Sequence, residues 1–407
     1  MKTAARVIDD AVAGWLTRAQ PHPDAPGLDA LVADPDRFIH EVLFRRVEAS
    51  SNAGSPRAGF VTSDELWEGA VGRGARTPFF RLVRDGATLP SSRVTRTAGA
   101  GHRTIDDVIQ PNRALEEHAA GATMVFQGLQ LTDPHLAKVA NNLALDLGHA
   151  VQINAYVSPV AARGLELHFD YHDVFVVQLD GRKRWRVWAP LDGTRQPVRV
   201  GPRTPMPTFA ELAEPLVDTT LEAGDCLYLP RGFPHAAETV ESASGHLTIG
   251  IMAMTWHQAV RHAADDAVAG PSVLRASVPA GVTDGPGLAD LAAHLQPGAL
   301  RRWMVRDTWK RQPATRLRPL HPPDIGPDTP VVVTPGPLLW SRVNDGRAEL
   351  GLGDRTLSLP TDAAPMLDAV LRSEGCFTLA ALDTPLDVGS AVVVGRRLTA
   401  EGVLARG

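Results

Sequence analysis

The run His168-Phe169-Asp170-Tyr171-His172-Asp173-Val174-Phe175-Val176-Val177-Gln178-Leu179 decides how this chain is read. It is answered by Gly224-Asp225-Cys226-Leu227-Tyr228-Leu229-Pro230-Arg231-Gly232-Phe233-Pro234-His235. Residues two apart on a strand point the same way, so His168 and Asp170 can share one face at a barrel mouth. The second run turns at Gly224-Asp225, bends from Pro230 to Pro234, and delivers His235 at the turn exit. Two imidazoles and one carboxylate brought together cover one face of an octahedral metal and leave three positions open. That is the donor set of non-haem Fe(II) oxygenases.

Other residues near these runs admit two readings each. His246 competes for the third ligand position, but it opens a strand with no turn to aim it, so it reads as a strand-end or neighbouring histidine. His172 lies two residues beyond Asp170 and suits a pocket role better than ligation. Lys183 faces inward if the alternation of its strand holds, where an ammonium suits the far carboxylate of a dicarboxylate co-substrate. It reads equally as a solvated lysine within Arg182-Lys183-Arg184. Trp185 and Trp188 read as core packing.

Outward from the two runs, short strands dominate. Thr123 to Phe126 and Val151 to Val157 are strand candidates. Between them Asp133 caps a helix that starts at Pro134, carries Leu136, Val139, Ala140, Leu143 and Leu147 at helical spacing, and stops at Gly148. Val174 to Leu179, the Asp180-Gly181 turn and Lys183 to Trp188 read as a β-hairpin. Strands resume at Thr219 to Leu221, Cys226 to Leu229 and His246 to Ile251. Many short strands with Gly and Pro turns indicate a sandwich or jelly-roll barrel.

The flanks are less informative. Residues 1 to about 120 mix short helical patterns and loops, with Phe38 to Val47 reading as a helix that becomes a strand. From Thr255 the pattern turns helical, through Trp256, Val260, Ala263 and Ala264, then Leu288, Leu291 and Leu295, then Leu300 to Trp309. A proline-rich break covers 313 to 330. The tail reads as strands at Thr329 to Val333 and Glu349 to Leu359, a helix at Ala364 to Arg372, and a strand at Ala391 to Val394.

Composition limits the alternatives. The 407 residues are 44% hydrophobic and 21% charged, with a formal net charge of -5 and a pI of about 6.3. This is a normal globular balance that argues for no polyanionic partner. The two cysteines, Cys226 and Cys376, are far apart and exclude a disulfide scaffold or a zinc knuckle. No signal-like or membrane-spanning stretch is visible, so a cytoplasmic protein is expected.

The residues His168-Phe169-Asp170, the run Asp173 to Arg186, and the Gly224 to His235 segment resemble the JmjC-type cupin oxygenases. Within these, the sequence is similar to the ribosomal oxygenases, which are 2-oxoglutarate-dependent protein hydroxylases. The match is specific over about 122 to 256 and looser from 30 to 120. The resemblance implies a mixed α and β chain with a double-stranded β-helix core, then a helical dimerisation segment and a winged-helix-like domain. The expected division is 1–256 for the catalytic domain (extension 1–120, core 122–256), 257–335 for the helical segment and linker, and 336–407 for the winged-helix-like domain.

Carried across by position, the resemblance makes His168, Asp170 and His235 the ligands of Fe(II). Lys183 becomes the partner of the 2-oxoglutarate 5-carboxylate. Asn154, Tyr156 and Thr248 line the co-substrate pocket. The implied reaction uses O2 and hydroxylates a protein or peptide residue, with a ribosomal protein as one candidate, releasing succinate and CO2. A small natural product or biosynthetic peptide as substrate, N-methyl-lysine demethylation, and a non-catalytic ligand-binding cupin are the alternatives. A homodimer is expected, and membrane or nucleic-acid partners are not. The segment 189 to 218 matches nothing in the family pattern. The tail 336–407 has seven arginines and no lysine against nine acidic residues, a net charge of about -2. A nucleic-acid-binding winged helix should show a basic face, so the tail reads as a protein-contact module.

Overall fold

The computed structural model describes residues 6–10, 14–52, 54, 57–160, 166–190, 208–269, 275, 277, 295–313 and 316–407. The chain forms two compact units. One comprises 24–143 with 151–253, and the other 1–23 with 144–150 and 254–407.

The first unit is built on two sheets. The larger has eight strands in the order Glu48–Ser50, Cys226–Leu229, Asp173–Asp180, Ser244–Met252, Ala150–Ser158, Thr123–Phe126, Phe80–Arg84, Ala87–Thr88. The smaller has Val217–Leu221, Lys183–Val187 and His235–Thr239. Val174, Val176, Leu227 and Leu229 of the large sheet pack with Trp185, Val187 and Leu221 of the small one in a single buried cluster. The two sheets therefore enclose a shared core, the layered arrangement of a jelly roll. The strand Asp173–Asp180 is buried on both faces, which explains its unbroken apolar run. Val174 and Val176 face the small sheet. On the other side Phe175 meets Phe38 and Tyr228, with ring centroids 5.2 and 5.0 Å away.

The Asp180-Gly181 turn is real, but the hairpin expected from it is not. Asp173–Asp180 pairs with Cys226–Leu229 and Ser244–Met252, whereas Lys183–Val187 pairs with Val217–Leu221 and His235–Thr239. The turn carries the chain from one sheet to the other. A turn signature fixes the reversal of the chain, not the partner of each strand. Both strands are mostly buried, and each gains more by pairing on two sides within its own layer. Gly181 has φ of 65°, and a Cβ there would strike the carbonyl of Ala243.

The helix Pro134–Leu147 begins as its sequence requires. Asp133 Oδ1 accepts from the N–H groups of His135 and Leu136 at 2.9 and 3.0 Å. Leu136, Val139, Ala140 and Leu143 are fully buried. The early reading of Phe38 to Val47 as a helix that becomes a strand holds for the helix, while the strand starts just beyond it. A helical stretch covers Pro35–Val42, and Glu48–Ser50 pairs with the strand Cys226–Leu229.

The second unit contains a five-stranded sheet in the order Arg6–Asp10, Trp15–Gln20, Gly336–Asn344, Arg347–Gly351, Thr356–Pro360. The expectation that the chain from residue 1 leads into the catalytic domain is corrected here. Trp15–Gln20 hydrogen-bonds to Gly336–Asn344, more than three hundred residues away. Ala364–Arg372 lies over this sheet and Val388–Ala400 packs on Leu404–Arg406, and one buried cluster takes in Met366, Leu367, Val370, Leu371, Ala391 and Leu398. The strand expected at Ala391 to Val394 is therefore a helix. Asp387 caps it by accepting from the Ser390 N–H at 3.0 Å, and the buried positions Ala391, Gly395, Leu398 and Thr399 repeat with helical period. Amphipathic burial overrides the strand propensity of the valines.

Trp256–Ala269 and Pro297–Arg311 are helical as expected, and His262 stacks on Trp303 at 4.9 Å. The expected helical positions Leu288 and Leu291, and residues 191–207 of the unmatched segment, lie outside the described residues. No described helix is long and apolar enough to cross a membrane.

Candidate metal and co-substrate site

His168 and His235 face each other across a short antiparallel bridge. The His168 N–H donates to the His235 carbonyl at 3.1 Å, and the His235 N–H to the His168 carbonyl at 2.7 Å. One rung further, the Gly232 N–H donates to the Asp170 carbonyl at 2.9 Å, and the Trp188 N–H to the Pro234 carbonyl at 2.9 Å. The backbone thus fixes both segments before any side chain acts. Asp173 adds a second tie. Its Oδ1 accepts from the Arg231 N–H at 3.3 Å and from the Tyr228 hydroxyl at 3.1 Å, and that hydroxyl in turn accepts from the Phe44 N–H at 2.8 Å. Burial raises the Asp173 pKa above the usual carboxylate range.

One ligand atom each from His168, Asp170 and His235 lies within 4.8 Å of the others, and His235 Nε2 is 3.8 Å from Asp170 Oδ2. Each histidine has its Nδ1 engaged by a nearby carbonyl. His168 Nδ1 is 2.7 Å from the Glu166 oxygen, and His235 Nδ1 is 3.0 Å from the Phe233 oxygen. A carbonyl only accepts, so Nδ1 carries the proton in both rings and Nε2 is left with its lone pair. Burial, together with the His168 ring, pushes the His235 pKa down to about 4, so the imidazole is neutral. Two Nε2 donors and one carboxylate fit a divalent transition metal. His246 and His172 are not in this cluster.

The ligands open on a cavity of about 290 Å³. All of the residues expected at the site line it: His168, Asp170, His235, Lys183, Asn154, Tyr156 and Thr248. Lys183 forms the floor at 3% exposure. Its Nζ is 3.4 Å from Ser158 Oγ, which in turn lies 3.0 Å from Thr123 Oγ1. It has no carboxylate partner among the described residues, and burial pushes its pKa down to about 8. A buried ammonium without a counter-ion marks a place for an anion. Tyr156 stacks on His246 at 5.1 Å and 8°, and Trp185 meets the same imidazole edge-on at 5.6 Å. Burial, with Lys183 adding to it, holds His246 well below its usual pKa, so it too is neutral. Asn154 Oδ1 accepts from the Gly128 N–H at 3.0 Å, which leaves its amide nitrogen as the end available to a ligand. His172 lies over Gly250, where a Cβ would come within 2.7 Å of its ring.

Trp185 is both core and cavity wall, so its reading as packing holds only in part. The sequence reading missed Arg81, Thr123 and Ser158. Arg81, Val125 and Tyr156 are successive cross-strand partners, which puts them in one row on the cavity face. The signal was the alternation of Phe80–Arg84, a strand with no metal donor to draw notice.

The fold is a jelly roll with a three-residue donor set that could hold a metal ion, and sequence comparison shows what it is similar to. Residues 130–259 match the family model described as JmjC domain. The relatives it resembles are ribosomal oxygenases. Ribosomal oxygenase 1 of Danio rerio is 36% identical over 147 residues, which are 34% of this chain and 26% of that protein. The bifunctional lysine-specific demethylase and histidyl-hydroxylase NO66 of Dictyostelium discoideum is 32% identical over 142 residues, 34% of this chain and 27% of that one. The matched part thus spans about a quarter of either relative's length. The structure of YcfD, a ribosomal oxygenase from Escherichia coli, in complex with cobalt and 2-oxoglutarate superposes with a TM-score of 0.52. The identity is 19%, over 92% of this chain and 98% of that one, and the likeness is one of fold.

Proposed function

We propose that this chain is an Fe(II)- and 2-oxoglutarate-dependent oxygenase that hydroxylates a residue of a protein or peptide. The observation that carries the reading is a single cavity with a three-donor metal cluster at its mouth and an ammonium without a counter-ion at its floor. His168, Asp170 and His235 would hold the iron. Lys183, assisted by Ser158, would bind the distal carboxylate of 2-oxoglutarate, with Asn154, Tyr156 and Thr248 along its length. Bound together, the metal and co-substrate supply the oxidative decarboxylation to succinate and CO2 and the insertion of one oxygen atom of O2 into a C–H bond.

The chain's own contribution is geometric and electrostatic. The paired backbones of His168 and His235 hold the donors in place, and the Nδ1–carbonyl contacts keep Nε2 available. Val125, Val174, Val176 and Leu229 give the cavity an apolar lining. Ribosomal oxygenases as relatives support a protein substrate, with a ribosomal protein as one candidate. The domain division into 122–256 for catalysis, 257–335 for dimerisation and 336–407 as a winged-helix-like contact module belongs to the same proposal, as does a cytoplasmic homodimer. The tail's net charge of about -2 supports a protein contact over a nucleic-acid one.

The test is an anaerobic titration of the Fe(II)-loaded protein with 2-oxoglutarate, following the weak visible charge-transfer band. A band in the wild type that is lost in His235→Ala is the expected result. Absence of the band with metal demonstrably bound withdraws the oxygenase reading.

A further inference from the structure

An apolar ledge stands at the rim of the cavity. The strand Phe80–Arg84 runs from rim to floor. Phe80 pairs with Phe126, while Val83 pairs with Thr123, which reaches Lys183 through Ser158. Phe79 is therefore at the rim end, and it is 38% exposed. Leu131, on the short helix Leu129–Thr132, is 61% exposed, whereas Leu129 on the same turn is buried. The two side chains flank Gly128. A Cβ on that glycine would stand 3.5 Å from the Phe79 ring and 3.7 Å from Leu131 Cδ1. The Gly128 N–H donates to Asn154 Oδ1 on the cavity wall at 3.0 Å, so a single residue joins ledge and cavity.

A lone exposed apolar side chain is ordinary. This pair differs in being contiguous and in adjoining the opening of a cavity. Core packing does not require it, since Phe80 and Leu129 supply that at these two places. Polar pairs border it. Gln127, which precedes Gly128, accepts from Arg81 Nε at 2.8 Å, and Asp133, two residues past Leu131, pairs with Arg73 at 3.1 Å. An apolar centre with a polar border is the anatomy of a docking spot. A polypeptide that presents a side chain to the metal through this opening has to pass over the rim. In an extended chain, side chains two residues apart point the same way and lie about 7 Å from each other. When one enters the cavity, the next on that side comes down on the rim.

We propose that Phe79 and Leu131 dock an apolar side chain of the polypeptide substrate, two residues away from the one presented to the metal. The ledge acts on recognition and does not touch the reacting atoms. This rests on the oxygenase reading above and names the contact by which that site selects a sequence.

The experiment uses the full chain loaded with Fe(II) and 2-oxoglutarate. Its substrates are short glycine-based peptides whose central position is a mixture of amino acids, with Leu, Ser or Lys two positions before and after it. Mass spectrometry scores one added oxygen. Wild type is expected to favour Leu over Ser by about tenfold in kcat/KM, the effect of taking roughly 55 Å² of apolar surface out of water. Leu131→Ser and Phe79→Ser should each shrink that preference to about threefold or less, with the 2-oxoglutarate charge-transfer band forming at the wild-type concentration. Leu131→Glu should turn the preference toward Lys, a change of sign that a merely weakened fold does not produce. Equal turnover of the Leu and Ser peptides by wild type overturns the proposal. So does a Leu preference that survives in Leu131→Glu, or a panel with no turnover at all. A halved mass for Leu131→Glu in light scattering would make the ledge a contact between copies of the chain and overturn the proposal equally. If wild type forms no band, it is the oxygenase reading that fails, and the two failures are distinguishable.

Discussion

At the residue scale, the co-substrate role proposed for Lys183 would couple stability to binding. Burial lowers its pKa from 10.5 to about 8, so the folded chain holds this proton less tightly than the unfolded one. Below pH 8 both states are protonated and the fold bears a buried charge. As pH rises from 8 toward 10.5 only the folded state is neutral there, and stability rises, by about 3 kcal/mol in all. Lys183→Met should therefore stabilise the ligand-free protein at pH 7 by about 1–3 kcal/mol in urea unfolding, while sharply weakening 2-oxoglutarate binding. Loss of stability instead would show that the ammonium is already compensated. In wild type the dissociation constant for 2-oxoglutarate should be flat below pH 8 and rise up to about tenfold per unit above it. Calorimetry across that range checks this. His168→Ala and Asp170→Ala are each expected to abolish metal retention, measured by metal analysis after gel filtration. The donors were legible in the sequence because period-two spacing and a proline-bounded turn constrain where they point. Arg81 was not, since its place depends on pairing register across three strands.

At the element scale, local signals fixed the ends of elements better than their neighbours. Asp133-Pro134 and Gly148 bounded a helix correctly, because capping is a matter of adjacent residues. Asp180-Gly181 marked a reversal correctly, yet which sheet receives each strand depends on residues some thirty or more positions later. The same limit explains Ala391 to Val394, where local strand propensity lost to burial against Leu379 and its neighbours. Gly181→Ala tests the crossing. It places a side chain at positive φ and against the Ala243 carbonyl, so a loss of about 2 kcal/mol or more is expected in thermal denaturation. A hairpin turn open to solvent would tolerate the change with a smaller loss.

At the scale of the whole molecule, the pairing of Trp15–Gln20 with Gly336–Asn344 had no signal in the sequence, because nothing local specifies a partner at that separation. The helix Trp256–Ala269 exposes Trp256, Val260 and Val268 at 78%, 42% and 41%, on one side of the helix. With the homodimer proposed above, Trp256→Glu combined with Val260→Glu should halve the mass seen in light scattering. A wild type already monomeric at micromolar concentration removes the dimer.

The bridge between His168 and His235 has a further consequence. The two residues are sixty-seven apart in the chain but hydrogen-bonded to each other, so a metal held by both would act as a rivet through a seam of the barrel. Binding that favours only the folded state adds about 2.7 kcal/mol when free metal is a hundredfold above its dissociation constant. Chelation should then lower the melting temperature and quicken hydrogen exchange at the His235 amide ahead of the strands behind it. A protein fastened in this way loses shape and chemistry together when its iron is oxidised and leaves, so inactive copies become the ones most open to proteolysis.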